Sequence, residues 1–79
     1  MTNEELTARV QKAFGRVFGA QVPFERSLSR LNEPRWTSLK HVEFIIALEQ
    51  EFGLRFDGAD ATDMTSVDIV LGLVRQRLG

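Results

Sequence analysis

The sequence predicts an all-α protein: a small four-helix bundle of three longer helices and one short one, with a long structured loop after the first. Three observations lead there. Apolar residues recur at helical spacing in three separate stretches. Polar start signals precede those stretches, and glycines close two of them. Alternation of the kind that marks a strand is confined to the brief Leu54-Arg55-Phe56.

The first helix starts at Thr2. Thr2 with Glu5 three residues later forms a capping box, and Gly19 supplies the stop. Leu6, Val10, Ala13, Phe14, Val17 and Phe18 between them share a face. Residues 19–37 then form the long connection. Pro23 and Pro34 break helix there, while Val22, Phe24, Leu28 and Leu31 should pin the loop onto the helices. Structured loops of this length are uncommon and frequently functional.

The second helix runs from Ser38 to Phe52, with Gly53 as its stop. On a helical wheel, Lys40, Glu43, Ala47, Gln50 and Glu51 share one polar strip. Val42, Phe44, Ile45, Ile46, Leu48 and Phe52 cover a broad apolar arc, expected to be buried. Glu49 falls on that arc, either at an edge between elements or facing a partner. Asp57 to Asp63 suits a single short helix. Thr65 with Asp68 resembles a start signal for the last helix, marked by Val67, Ile69, Val70, Leu71, Leu73, Val74 and Leu78. Arg75 and Arg77 near its end suit the helix dipole.

The 79 residues make one domain, 1–79, and a chain this short buries only roughly 60% of its unfolded surface. Without cysteine there is no disulfide framework or cysteine zinc site, and one histidine, His41, makes no histidine-rich metal site. A net charge of −1 gives no global pull toward nucleic acid. No segment has the ~20 apolar residues of a membrane span, and the first residues lack a basic-then-apolar leader, so a cytoplasmic monomer is expected. Charge is uneven: residues 1–41 carry seven Lys/Arg against four acids, residues 42–79 three Arg against seven acids. That is either two solvated faces or a polarised surface that orients protein partners.

Ser38 stands at the mouth of the second helix, where N–H groups lack intrahelical partners and the dipole is positive. Two readings stay open. Ser38, or Thr37, caps the helix; or the hydroxyl carries or adjoins a phosphate. From position alone, capping is the ordinary explanation. His41, one turn on, is expected to be a partly exposed helix residue. A Ser38–His41 hydrolase dyad is conceivable, but no acid is placed to orient the imidazole.

The stretch Thr37-Ser38-Leu39, followed by Val42-Glu43-Phe44-Ile45-Ile46-Ala47-Leu48-Glu49-Gln50-Glu51-Phe52-Gly53, resembles the acyl carrier protein family. That family opens its second helix with Asp-Ser-Leu. Asp63-Met64-Thr65-Ser66-Val67 resembles the family's lead into its last helix, and the likeness spans nearly the whole chain. Trp36-x-Ser38-Leu39-x-His41 is similar to free-standing carriers of polyketide- or peptide-type pathways.

The resemblance implies a 4′-phosphopantetheine arm joined to Ser38 by a phosphodiester and added from coenzyme A by a phosphopantetheinyl transferase. The arm would hold an acyl or aminoacyl group as a thioester, in fatty acid or polyketide biosynthesis, and the chain itself would be no enzyme. Other implied partners are an acyl- or aminoacyl-loading ligase and downstream biosynthetic enzymes. Thr37, Leu39, Lys40, Glu43, Glu49 and Glu51 would form the docking surface. Two residues depart from the family pattern. Thr37 replaces the aspartate that helps the transferase hold its metal ion, and Lys40 stands where many members are acidic. These departures suit the alternative, an unmodified carrier-fold interaction module.

Overall fold

A computed structural model describes all residues, 1–79. It contains four helices: α1 (Asn3–Phe18), α2 (Ser38–Phe52), α3 (Gly58–Asp63) and α4 (Val67–Leu78). This is the expected helical bundle, with the long loop after α1. No helix is long and apolar enough to cross a membrane.

Local chemistry sets the helix ends. Thr2 accepts from the Glu5 amide at 3.1 Å while its own amide donates to Glu5 Oε1 at 3.3 Å, closing the capping box. Gly19 and Gly53 stop α1 and α2 with φ of 71° and 66°, a region that L side chains rarely adopt. Asp57 and Asp60 form a second capping box on α3. The start of α4 lies one residue later than the sequence suggested. Ser66, not Thr65, accepts the Ile69 amide, at 3.1 Å.

The core is aromatic at one end. Phe14 stacks on Phe18, with ring centroids 4.4 Å apart, and meets Phe44 edge-on at 5.5 Å. Trp36, from the loop, lies 5.7 Å from Phe18 and 5.8 Å from Phe44. Phe24 meets the other side of Phe14 at 5.3 Å. Val10, Leu48, Met64, Val67, Val70 and Val74 continue the core between α1, α2 and α4.

The loop is held at several points. Val22, Leu28 and Trp36 are buried. The Val67 amide donates to Leu28 O, and the Arg30 amide to Thr65 O, each at 2.9 Å, around a single antiparallel bridge between Ser29 and Ser66. Buried Glu33 takes two guanidinium bonds from Arg35, at 2.9 and 3.0 Å, while Arg35 also donates to Gln21 O. Leu31 does not pin the loop as expected. It stands 99% exposed at a turn that backbone–side-chain bonds hold without it.

The wheel of α2 is corrected by its packing. Lys40, Ala47 and Glu51, expected on a solvent strip, turn toward α1. Ala47 is buried. Lys40 Nζ donates to Val17 O at 3.1 Å, answering a carbonyl at the α1 C-terminus. Glu51 accepts from Arg9 Nε at 3.0 Å and meets Arg16 at 3.5 Å, leaving its side chain 9% exposed. Arg9 also lies 4.7 Å from the centre of the Phe52 ring. Val42 and Ile46, expected in the core, face solvent instead.

The uneven charge of the sequence is paired in part within the molecule. Arg9 and Arg16 of the basic half meet Glu51 of the acidic half, and Arg26 meets Asp68. The Arg9 hydrogen bond first, then the charges of Lys12, Arg9 and Arg16, hold the Glu51 carboxyl below its ordinary range. A depressed folded-state pKa adds stability above the unfolded value, about 4.3, that is lost as pH falls through the folded value. Thermal melts should therefore place the native chain above Glu51→Gln at neutral pH, with the gap closing below about pH 4. A gap of the same size in acid would refute this clamp.

Candidate functional site

The candidate site is the entrance to α2, built from Trp36 onward. Thr37 is the N-cap: its backbone is extended, and its hydroxyl accepts the Lys40 amide at 3.2 Å. This resolves the two capping options left by the sequence. Ser38 is the first helical residue, is exposed, and its hydroxyl caps nothing. Its side-chain partner is Arg30, whose Nη2 donates to Ser38 Oγ at 3.2 Å.

His41 is corrected from partly exposed to buried, with 7% of its surface accessible. The Trp36 indole N–H donates to His41 Nδ1 at 3.0 Å, and His41 Nε2 lies 2.7 Å from Ala61 O. The indole can only donate and the carbonyl can only accept. The ring is therefore neutral, with its proton on Nε2. Both nitrogens are engaged away from Ser38, so the conceivable Ser38–His41 dyad is not formed.

The other sequence-selected residues divide into two groups. Leu39 is 70% exposed beside Ser38, and Glu43 is exposed one turn further on, 3.9 Å from Lys40. Thr37, Ser38, Leu39 and Glu43 thus share the accessible entrance. Lys40 and Glu51 turn to α1 as described. Glu49 also works within the chain: its Oε2 accepts the Phe56 amide at 2.9 Å, folding the segment after Gly53 back onto α2. That places it at an edge between elements.

Sequence reasoning missed three residues here. Val42 and Ile46, 54% and 48% exposed, continue from Leu39 as an outward apolar strip. The spacing 39, 42, 46 follows one helical face, a visible signal that the apolar residues surrounding the helix obscured. Arg30 reaches Ser38 only through the fold of the loop, and no spacing rule would have found it.

The first turn of α2 contains no acidic residue, whereas those of α1, α3 and α4 hold Glu4 and Glu5, Asp60, and Asp68. The positive end of the α2 dipole thus has no side-chain anion in its own sequence. No three His, Cys, Asp or Glu side chains are grouped to hold a metal ion. No family model matches the chain, and no curated protein matches it in sequence.

Replacing His41 with Phe would leave the buried indole N–H and the Ala61 carbonyl without partners, at a cost of about 2–4 kcal/mol. Urea unfolding should show that loss, and nitrogen NMR of the native imidazole should show the proton on Nε2. A loss under about 0.5 kcal/mol would contradict the bridge, being the scatter expected of surface substitutions.

Proposed function

We propose that this chain is an acyl carrier protein whose attachment residue is Ser38. The observation that carries the reading is the division of labour at the α2 entrance: Thr37 caps the helix, and the next residue keeps an exposed hydroxyl. A serine used for capping would be poorly placed for esterification. This one is accessible at a helix entrance whose first turn holds no acid, and both features suit a phosphodiester. The sequence likeness supplies the rest of the reading.

In the transfer, Ser38 Oγ attacks a phosphorus of the coenzyme A pyrophosphate. The Oγ–P bond forms as the P–O bond to the nucleotide half breaks, and the serine proton passes to a base on the transferase. When attached, 4′-phosphopantetheine supplies a terminal thiol that carries an acyl or aminoacyl group as a thioester. The chain's own residues hold the attachment oxygen at a fixed position and present a docking face. Tethering raises the effective concentration of the cargo at each partner. The chain performs no catalysis and works as a cytoplasmic monomer. Its partners are the transferase, a loading ligase and downstream biosynthetic enzymes of a fatty acid, polyketide or peptide-type pathway.

Leu39, Val42 and Ile46 are the apolar contacts of the docking face, and Glu43 is a polar contact at its edge. A contiguous exposed apolar strip on a small protein is a mark of an interaction surface. Lys40, Glu49 and Glu51 act mainly by holding α2 in place.

A second reading draws on Thr37, which brings no negative charge where the family has an aspartate. On it, the chain docks on partners without being modified. Incubation with coenzyme A and a panel of transferases, including one from the same genome, separates the two. The carrier reading expects a mass gain of one phosphopantetheine, absent in Ser38→Ala. No gain with any transferase, together with unmodified Ser38 in protein from the native cell, would leave only the interaction module.

Serine at Leu39, Val42 and Ile46 tests the face separately. Unfolding free energy should stay within about 0.5 kcal/mol per site, as for exposed positions. Transfer from the primed carrier to a partner enzyme should fall at least tenfold in kcat/KM, about 1.4 kcal/mol of lost contact. Unaltered transfer would remove the strip from the docking surface.

A further inference from the structure

We propose that Arg30 is a built-in counter-charge for the phosphate on Ser38, and so positions the base of the arm. This rests on the carrier reading and adds to it a residue that the chain uses to hold its own modification.

The loop carries three arginines. Arg26 is paired with Asp68, and Arg35 with Glu33. Arg30 belongs to none of the chain's ion pairs. Its guanidinium is directed instead at a neutral hydroxyl, Ser38 Oγ, at 3.2 Å. Its other N–H groups have no protein partner, although a guanidinium offers five donors in a planar fork suited to phosphate. A phosphorus joined to Oγ would carry its anionic oxygens two bonds beyond the atom that Nη2 already touches.

The placement of Arg30 does not depend on that contact. Its amide donates to Thr65 O at 2.9 Å, beside the Ser29–Ser66 bridge. Asn32 closes the turn around it: Oδ1 accepts the Ser29 amide at 2.9 Å, the Asn32 amide donates to Ser29 Oγ at 3.3 Å, and Nδ2 donates to Ser27 O at 2.9 Å. The α4 entrance and this turn thus fix the backbone from which the guanidinium reaches Ser38. Before modification, the Arg30 bond occupies a lone pair of Oγ and leaves the hydroxyl proton free to depart. Afterwards the same group faces an anion, and the contact becomes charge-assisted.

The test uses the full chain in two modified forms: primed from coenzyme A, and carrying phosphoserine at position 38 by genetic encoding. Each is made with Arg30 native, Arg30→Lys and Arg30→Gln. In the native chain, either modification should shift the Arg30 Nε–H resonance and raise Tm by about 2–6 °C, as one partly exposed charge-assisted bond would in a domain of this size. The gain should shrink at high salt, fall in Arg30→Gln to the part that the α2 N-terminus supplies by itself, and lie between the two in Arg30→Lys, which keeps the charge without the fork. Spectra of the unmodified variants establish that each is folded. An unmoved Arg30 resonance in both modified forms, or an equal gain in Arg30→Gln, overturns the proposal. A response to phosphoserine in a chain that no transferase primes, and whose Ser38 is unmodified in the native cell, would uphold the counter-charge and defeat the carrier reading. Priming without any Arg30 response would do the reverse.

Discussion

The hydrogen-bonded chain from Trp36 through His41 to Ala61 is the constraint on which the entrance to α2 depends. The indole ring packs among Phe14, Phe18 and Phe44, so its N–H is carried out of water and needs a partner. His41 Nδ1 is that partner, and Nε2 passes the connection to the last turn of α3. One neutral imidazole thereby joins the end of the loop, the first turn of α2 and α3. Thr37 and Ser38 follow Trp36 directly, so burial of the indole sets where the cap falls and which hydroxyl stays outside. A partly satisfied buried network is costly, which favours a single arrangement at the entrance.

Polar groups elsewhere work in the same cross-element fashion. Glu33 joins the end of the loop to its beginning through Arg35 and Gln21 O. Asp60 joins α3 to α4 through Arg77. Each of these carboxyls is held below its ordinary range chiefly by the arginine bonded to it. With Glu51 they form a set of acids whose contribution disappears in acid, in a domain too small to rely on core burial alone.

The helix limits were legible because their causes are local. The Thr2–Glu5 box and the glycines at 19 and 53 act within one turn of chain. The α4 start was displaced by one residue because Thr65 and Ser66 are both competent caps, and tertiary pairing decided between them. The Thr65 carbonyl is taken by the Arg30 amide, and Ser66 faces Ser29. The faces of α2 were legible only in part. The helix is apolar around most of its circumference, so the wheel offered two arcs, and the position of α1 chose between them. Lys40 and Glu51 looked solvated by residue type. Each instead has a long or charged side chain that reaches an α1 group while Ala47 fills the space between them. His41 was misplaced for a related reason: its burial depends on a donor five residues back and an acceptor twenty residues on.

This inversion of α2 bears directly on the candidate site. If Lys40, Ala47 and Glu51 faced water as the wheel implied, Leu39, Val42 and Ile46 would lie nearer the core and Ser38 would open onto a charged surface. With Lys40, Ala47 and Glu51 turned to α1, the apolar residues Leu39, Val42 and Ile46 face outward on the helix that begins with the exposed hydroxyl. The arrangement leaves apolar area in water, a cost that the fold does not recover by itself. It is recovered if a second surface covers the strip while reaching Ser38. The ion pairs of Glu51 and the bond from Lys40 to Val17 O therefore set more than stability: by fixing the rotation of α2, they keep the apolar strip and the hydroxyl exposed on the same helix, where the proposed carrier reading needs both within reach of one surface.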